Sequence, residues 1–205
     1  MAKPSNQPTP KNERRTFILH EVRADGGDDS TPKRWVGHAA VFDTPYDLGW
    51  FTERVARGAF TETIQTDDIR ALFNHDPNIV LGRNKSGTLK LSEDETGLAI
   101  EITPPDTQAA RDISILLERG DITQMSIGFN VVEETWEISQ DENKSDLRTL
   151  KKVKLWDVSP VTYPGSPTTD IAQRSHDQWV DDQKVAAPPI SLRMAQQKLL
   201  ETISR

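Results

Sequence analysis

Apolar and polar residues alternate with a period of two through the middle of the chain, a pattern that predicts strands. In residues 122–133, Met125, Ile127, Phe129 and Val131 share one parity, and Gln124, Ser126, Gly128 and Asn130 share the other. On a strand this sets an apolar face against a face that carries a hydroxyl. Gly128, two residues along on the hydroxyl's face, leaves open space beside it. Leu98, Ile100 and Ile102 alternate in the same way, and residues 88–92 and 98–103 flank Glu93-Asp94-Glu95-Thr96-Gly97, which reads as a hairpin turn. Further strands are predicted at residues 16–22, 34–42, 71–74 and 152–158, with Trp136 beginning a partner strand. The period changes at residues 106–119, where Ile113, Leu116 and Leu117 form one stripe between an acidic start and Gly120, the signature of a helix. Residues 58–65 predict a shorter helix. Many strands, few helices and closely spaced turns predict a mainly β fold with flanking helices (α+β), built on a barrel-like or strongly bent sheet.

The periodic signal occupies residues 16–174. Residues 1–15, rich in Pro, Asn, Lys and Gln, read as a disordered N-terminal arm. Residues 175–189 turn polar and end in a Pro-Pro pair, which reads as a linker. In residues 190–205, Leu192, Ala195, Leu199, Leu200 and Ile203 recur at helical spacing behind Ser191 as N-cap, so a C-terminal amphipathic helix is expected.

Composition removes several classes of chemistry. The chain has no cysteine, so disulfides, thiolate metal sites and cysteine nucleophiles are excluded. A net charge of -7 argues against broad nucleic-acid binding, with Lys151-Lys152-Val153-Lys154 as one local basic run. No run of 18 apolar residues is present, so no membrane span is expected. His-Glu-x-x-His is absent and no two histidines have metal-ligand spacing, so neither a metal nor another cofactor is expected. Gly82-Arg83-Asn84-Lys85-Ser86-Gly87 lacks P-loop spacing, and Asp43-Thr44-Pro45 departs from Asp-Thr-Gly at its last position.

Of the four histidines, His176 falls in the linker, and His20 and His38 lie within apolar strands as packed or solvent-facing rings. His75 stands apart, at the end of a short strand between Asn74 and Asp76-Pro77, where a chain enters a loop. Ser126 is not in a Gly-x-Ser-x-Gly elbow, since Gln124 precedes it by two. Taken alone, it reads as a solvated serine on a polar strand face. Asp157 shares parity with Val153 and Leu155, which look inward, and a carboxylate on an apolar face needs a partner. Two readings stay open for it: the orienting acid of His75, or a strand-end carboxylate bonding a turn.

Seven segments in order carry a wider likeness. They are Gly37-His38-Ala39-Ala40-Val41-Phe42-Asp43, Arg57-Gly58-Ala59-Phe60, Leu72-Phe73-Asn74-His75-Asp76, and Leu81-Gly82-Arg83 with Ser86-Gly87. Glu93-Asp94-Glu95-Thr96-Gly97-Leu98 follows, then Gly120-Asp121-Ile122 with Met125-Ser126-Ile127-Gly128-Phe129, and last Asp157-Val158-Ser159-Pro160-Val161-Thr162-Tyr163-Pro164. Over residues 34–174 the chain resembles the phage prohead maturation proteases of the HK97 type, serine peptidases related in fold to herpesvirus assemblins. The resemblance implies a herpesvirus-protease-like sheet, His75 as general base, Ser126 as nucleophile and Asp157 as the third member. Two departures are visible. Pro164-Gly165 stands where the family often has Pro-Ala, and no arginine follows Asp157 until Arg174, so backbone N–H groups become the default oxyanion donors.

The expected activity is therefore a serine endopeptidase of procapsid maturation, acting in the host cytoplasm inside the assembling procapsid. The resemblance implies the major capsid protein's N-terminal scaffold-like segment or a scaffold as substrate, the protease itself as another, and self-association as a dimer or higher. A membrane or a specific nucleic acid is not expected as partner. The rival reading is a non-proteolytic capsid assembly or scaffold factor on the same fold. Hydrogen-bond reach between Ser126 and His75 separates the two. A small-ester hydrolase fits less well, because α/β alternation and the nucleophile elbow are missing.

Overall fold

The computed structural model describes residues 12–18, 23–25, 34–49, 51–139 and 145–163. The chain divides into units 1–167 and 168–205, and the second lies outside the described residues. So do the expected linker and C-terminal helix, together with His20 and His176.

Two sheets form the fold. The larger follows the path β1 (Asn12–Ile18), β10 (Gln124–Glu137), β11 (Leu147–Val161), β5 (Thr52–Val55) and β4 (Tyr46–Asp47). A branch leaves β11 through β6 (Arg70–Phe73) to β7 (Asp76–Arg83). The smaller sheet orders β2 (Arg23–Asp25), β3 (Arg34–Val41), β9 (Gly97–Ile102) and β8 (Leu89–Glu93). The fold is thus mainly β with few helices, and neither sheet closes on itself among the described residues. The long strand β11 is the hub. It pairs antiparallel with β10 along its length, parallel with β5 at Leu147–Leu150, and parallel with β6 at Asp157 and Val158.

Apolar alternation fills the core as expected. Met125, Ile127 and Phe129 of β10 are buried with Val153, Leu155 and Val158 of β11 and with Trp35 and Phe60. Helix α2 (Gln108–Arg119) buries Ala110, Ile113 and Leu117. The Thr107 hydroxyl accepts from the Ala110 N–H at its start, and Gly120 ends it with φ 80°, a left-handed cap that glycine takes without strain. The other helix, α1 (Thr63–Thr66), is shorter than expected.

Charge, not apolar alternation, fixes the start of β1. It begins at Asn12, inside the segment expected as a disordered arm, because Glu13 and Arg15 are buried. Arg15 Nε donates to Glu53 Oε1 at 2.6 Å and its Nη2 to Glu13 Oε2 at 2.5 Å. Arg148 Nη1 donates to Glu53 Oε2 at 2.8 Å and to Glu13 Oε2 at 2.9 Å. Tyr46 also bonds Glu53, and Glu134 closes the rim on Arg148. Burial works to raise the Glu53 carboxyl, yet Arg15 and Arg148 hold it below the usual carboxylate range. This cluster ties β1, β5 and β11 together.

Breaking such a set is costly because the remaining charges stay buried. Arg148→Met is expected to lower stability by about 3–5 kcal/mol near pH 7, read as a lower urea midpoint. The folded Glu53 carboxyl sits below its unfolded value, so its contribution is full above about pH 4.3 and is lost as pH falls through the folded pKa. The gap between wild type and variant should therefore narrow on acidification. A gap under about 1 kcal/mol at pH 7, the scale of an exposed pair, would remove the cluster from this role.

Candidate active site

His75 is held in a tight turn. Phe73 pairs with Asp76 across β6 and β7, which leaves Asn74 and His75 as a two-residue loop. Both have positive φ, 51° and 58°, the sign pattern of a type I′ hairpin turn. Asn and His are the non-glycine residues that best tolerate this region, at a cost on the order of 1 kcal/mol or more. Contacts to the end of β11 offset it. The Asn74 N–H donates to the Pro160 carbonyl at 3.0 Å. Its side-chain amide donates to Thr162 Oγ1 at 3.1 Å and accepts from the Thr162 N–H at 2.9 Å. Asn74 is thus a positioning residue, legible beforehand only as part of an Asn-His turn.

Ser126 faces this turn from β10. Its side chain is buried, contrary to the solvated face read from alternation, because both faces of β10 are covered from Met125 to Phe129. Buried hydroxyls need partners, and this one has two. Ser126 Oγ lies 2.7 Å from His75 Nε2 and 3.0 Å from the carbonyl oxygen of Arg15 on β1. The single hydroxyl proton serves one acceptor at a time, and the pair of contacts fixes the Oγ rotamer.

Asp157 completes the series. Its Oδ1 lies 2.6 Å from His75 Nδ1 and accepts from the Ser159 hydroxyl at 2.8 Å. Unbroken alternation would place Asp157 with Val153 and Leu155 on the inward face. A β-bulge overturns that placement. Gly128 pairs with Asp157 while Phe129 pairs with Leu155, so Trp156 is an extra residue on β11. Directly opposed residues share a face, so the bulge turns Asp157 to the side of Gly128 and Ser126. Gly128 has no open space beside it. A Cβ there would collide with Asp157 Oδ2 and lie 3.0 Å from Trp156 Nε1. Glycine is what lets the carboxylate stand at this point. The neighbouring Asp76 does not compete for His75; its carboxylate accepts from the Asn78 N–H at 2.8 Å.

The structure thus brings Ser126, His75 and Asp157 into one hydrogen-bonded series. His38 is elsewhere, in the smaller sheet, with Nε2 2.8 Å from Asp94 Oδ2 in the turn between β8 and β9. A cavity of about 340 Å³ opens on the series, lined by Arg14 and Thr16 of β1, by Asn74 and His75, by Ser126, and by Val161 to Tyr163. Among the described residues, no group of three or more His, Cys, Asp or Glu side chains is placed to hold a metal. No described helix is long and apolar enough to cross a membrane.

With Nδ1–H donated to Asp157, the Nε2 of His75 is free to accept the Ser126 proton, the tautomer that acyl transfer needs. A hydroxyl, an imidazole and a carboxylate in this order are the working parts of a serine hydrolase. The chain belongs to the caudovirus prohead serine protease family, whose profile it matches over residues 20–182. It is 29% identical over 164 residues to the prohead protease of Enterobacteria phage HK97, covering 77% of this chain and 67% of that relative. No solved structure matches. The chain is accordingly a serine protease of the family that matures phage capsids.

Proposed function

We propose that this chain is an endopeptidase whose Ser126 attacks the scissile carbonyl. The observation that carries this reading is the Ser126–His75–Asp157 series, at 2.7 and 2.6 Å. His75 Nε2 takes the hydroxyl proton as Oγ bonds the carbonyl carbon, and Asp157 balances the imidazolium that forms. His75 then gives that proton to the leaving amine. A water, deprotonated by the same nitrogen, hydrolyses the acyl-enzyme and returns Ser126.

The substrates in this reading are a scaffold or the capsid protein's N-terminal segment, and the chain itself. Cleavage takes place inside the procapsid in the host cytoplasm, by a self-associated enzyme. The domain division belongs to the same proposal, with its first boundary moved from residue 16 to the start of β1: a protease domain from Asn12 to residue 174 preceded by the remaining N-terminal arm, a linker at 175–189 that is cut, and a helix at 190–205 that docks into the scaffold. So does barrel-like curvature of the larger sheet.

Reaction with a fluorophosphonate tests the nucleophile without mutation. A single adduct mapping to the peptide that contains Ser126 is expected, because only an activated hydroxyl reacts readily with such a reagent. An unlabelled protein, or an adduct at another serine, would return the assembly-factor reading to the front.

A further inference from the structure

The cavity at Ser126 carries a charge that the hydrolytic steps do not use. Arg14 lies on β1 opposite Gly128, two residues from Thr16, which is opposite Ser126. Opposed residues share a face, so Arg14 is on the side of Ser126 and Asp157, whereas Arg15 turns to the buried ion cluster. Arg14 is exposed and lines the cavity.

Its side chain differs from every other described arginine side chain. Arg15 and Arg148 are held by buried glutamates. Arg34 pairs with Glu101, Arg54 with Glu137, and Arg57 with Asp43. Arg70 and Arg83 share Asp68, Arg111 holds Asp106, and Arg119 holds Asp121. Arg14 alone has no carboxylate or hydrogen-bond acceptor for its guanidinium among the described residues. That is unexpected in a chain with 32 acidic and 25 basic side chains, where acids are in surplus. This charge lines the same cavity as the Ser126 hydroxyl.

We propose that Arg14 is a specificity-determining residue that selects an acidic side chain, Asp or Glu, beside the scissile bond; this rests on the protease reading above. Two strand residues span about 6.6 Å, so the site for that side chain lies within about two residues of the scissile bond of an extended substrate. The planar fork of the guanidinium suits a carboxylate, which it binds through two parallel N–H···O bonds. Tyr163, exposed at the cavity wall, and Val161 give the neighbouring backbone an apolar surface.

The test uses the full-length protein and a peptide library made from a bacterial proteome, with cleavage sites read by mass spectrometry. Wild type should enrich Asp or Glu over Gln or Asn about fivefold to fiftyfold at one position within two residues of the cut. Arg14→Gln should flatten that position, and Arg14→Glu should shift it toward Lys and Arg. Fluorophosphonate labelling at Ser126 in each variant reports that the site is formed. A labelled wild type with no acidic enrichment, including one that cuts nothing in the library, overturns the Arg14 assignment alone. An Arg14→Glu variant that is slower yet keeps the wild-type profile overturns it too, since the charge would then act on the reacting atoms. A wild type that neither labels nor cleaves removes the protease reading and this inference together.

Discussion

Co-expressed with its capsid protein, the Ser126→Ala variant is expected to leave that protein at full length, while wild type truncates it. The loss in kcat should be on the order of 10⁶, the scale for a nucleophile that works as one unit with its base. His75→Ala should cost nearly as much, and the double variant little more, because either change stops the same step. Intact-mass spectra of both proteins supply the readout. The chain's own mass in the same spectra tests the cut within residues 175–189. Loss of the hydroxyl also leaves His75 Nε2 and the Arg15 carbonyl without their partner. A stability cost of about 1–3 kcal/mol is therefore expected beside the catalytic one, and a thermal melt separates the two. Truncated capsid protein in the presence of folded Ser126→Ala would assign the cleavage to another group.

Gly128→Ala is expected to be nearly as damaging through a different route. The added methyl cannot share space with Asp157 Oδ2 and is crowded by Trp156 Nε1 at 3.0 Å. The carboxylate must withdraw, and its Oδ1 contacts to His75 Nδ1 and to the Ser159 hydroxyl are lost with it. Without the orienting acid the imidazole favours neither tautomer, so kcat should fall by about 10²–10⁴. Overpacking costs a further 1–3 kcal/mol or so in stability. Adding Trp156→Phe removes the indole N–H from the crowding and leaves the carboxylate clash in place. The double variant should remain inactive, and recovery of activity in it would trace the defect to Trp156 and not to Asp157. Slow fluorophosphonate labelling of a folded Gly128→Ala protein would carry the same message from the nucleophile's side.

Legibility of this fold in its sequence followed the source of burial. Where apolar side chains did the burying, alternation found the element: β9 was expected at residues 98–103 and runs Gly97–Ile102, and α2 ends at the glycine that marked it. Where charges did the burying, it failed. Glu13 and Arg15 look like part of a polar tail, and no strand was predicted at residues 52–55, yet β1 and β5 are held by the ion cluster. Asp76-Pro77-Asn78 imitates a loop and instead opens β7. Trp136 was expected to begin a partner strand and lies inside β10, which runs 14 residues. The proposed triad was legible as residue types at His75, Ser126 and Asp157, but the hydrogen-bonded geometry that joins them was not. Parity counting assumes an unbroken strand, and the extra Trp156 inverts the face beyond it. Asn74 acquires its place only through Pro160 and Thr162, and Arg14 only through its pairing opposite Gly128, all far along the chain.

That distance sets when the protein can first act. The contacts around Ser126 join residues 51, 82 and 111 positions apart. Each closes a long loop whose entropy is lost before any contact rewards it, so contacts of this separation form slowly and late. The acid sits on β11, the last described strand, and the carbonyl that holds the nucleophile sits on β1, the first. A growing polypeptide therefore carries its serine and histidine out of the ribosome long before they meet an acid. In the proposed mechanism, partly made or partly folded chains are inert toward their neighbours, and the capacity to cut arrives only when β1, β6, β10 and β11 have paired.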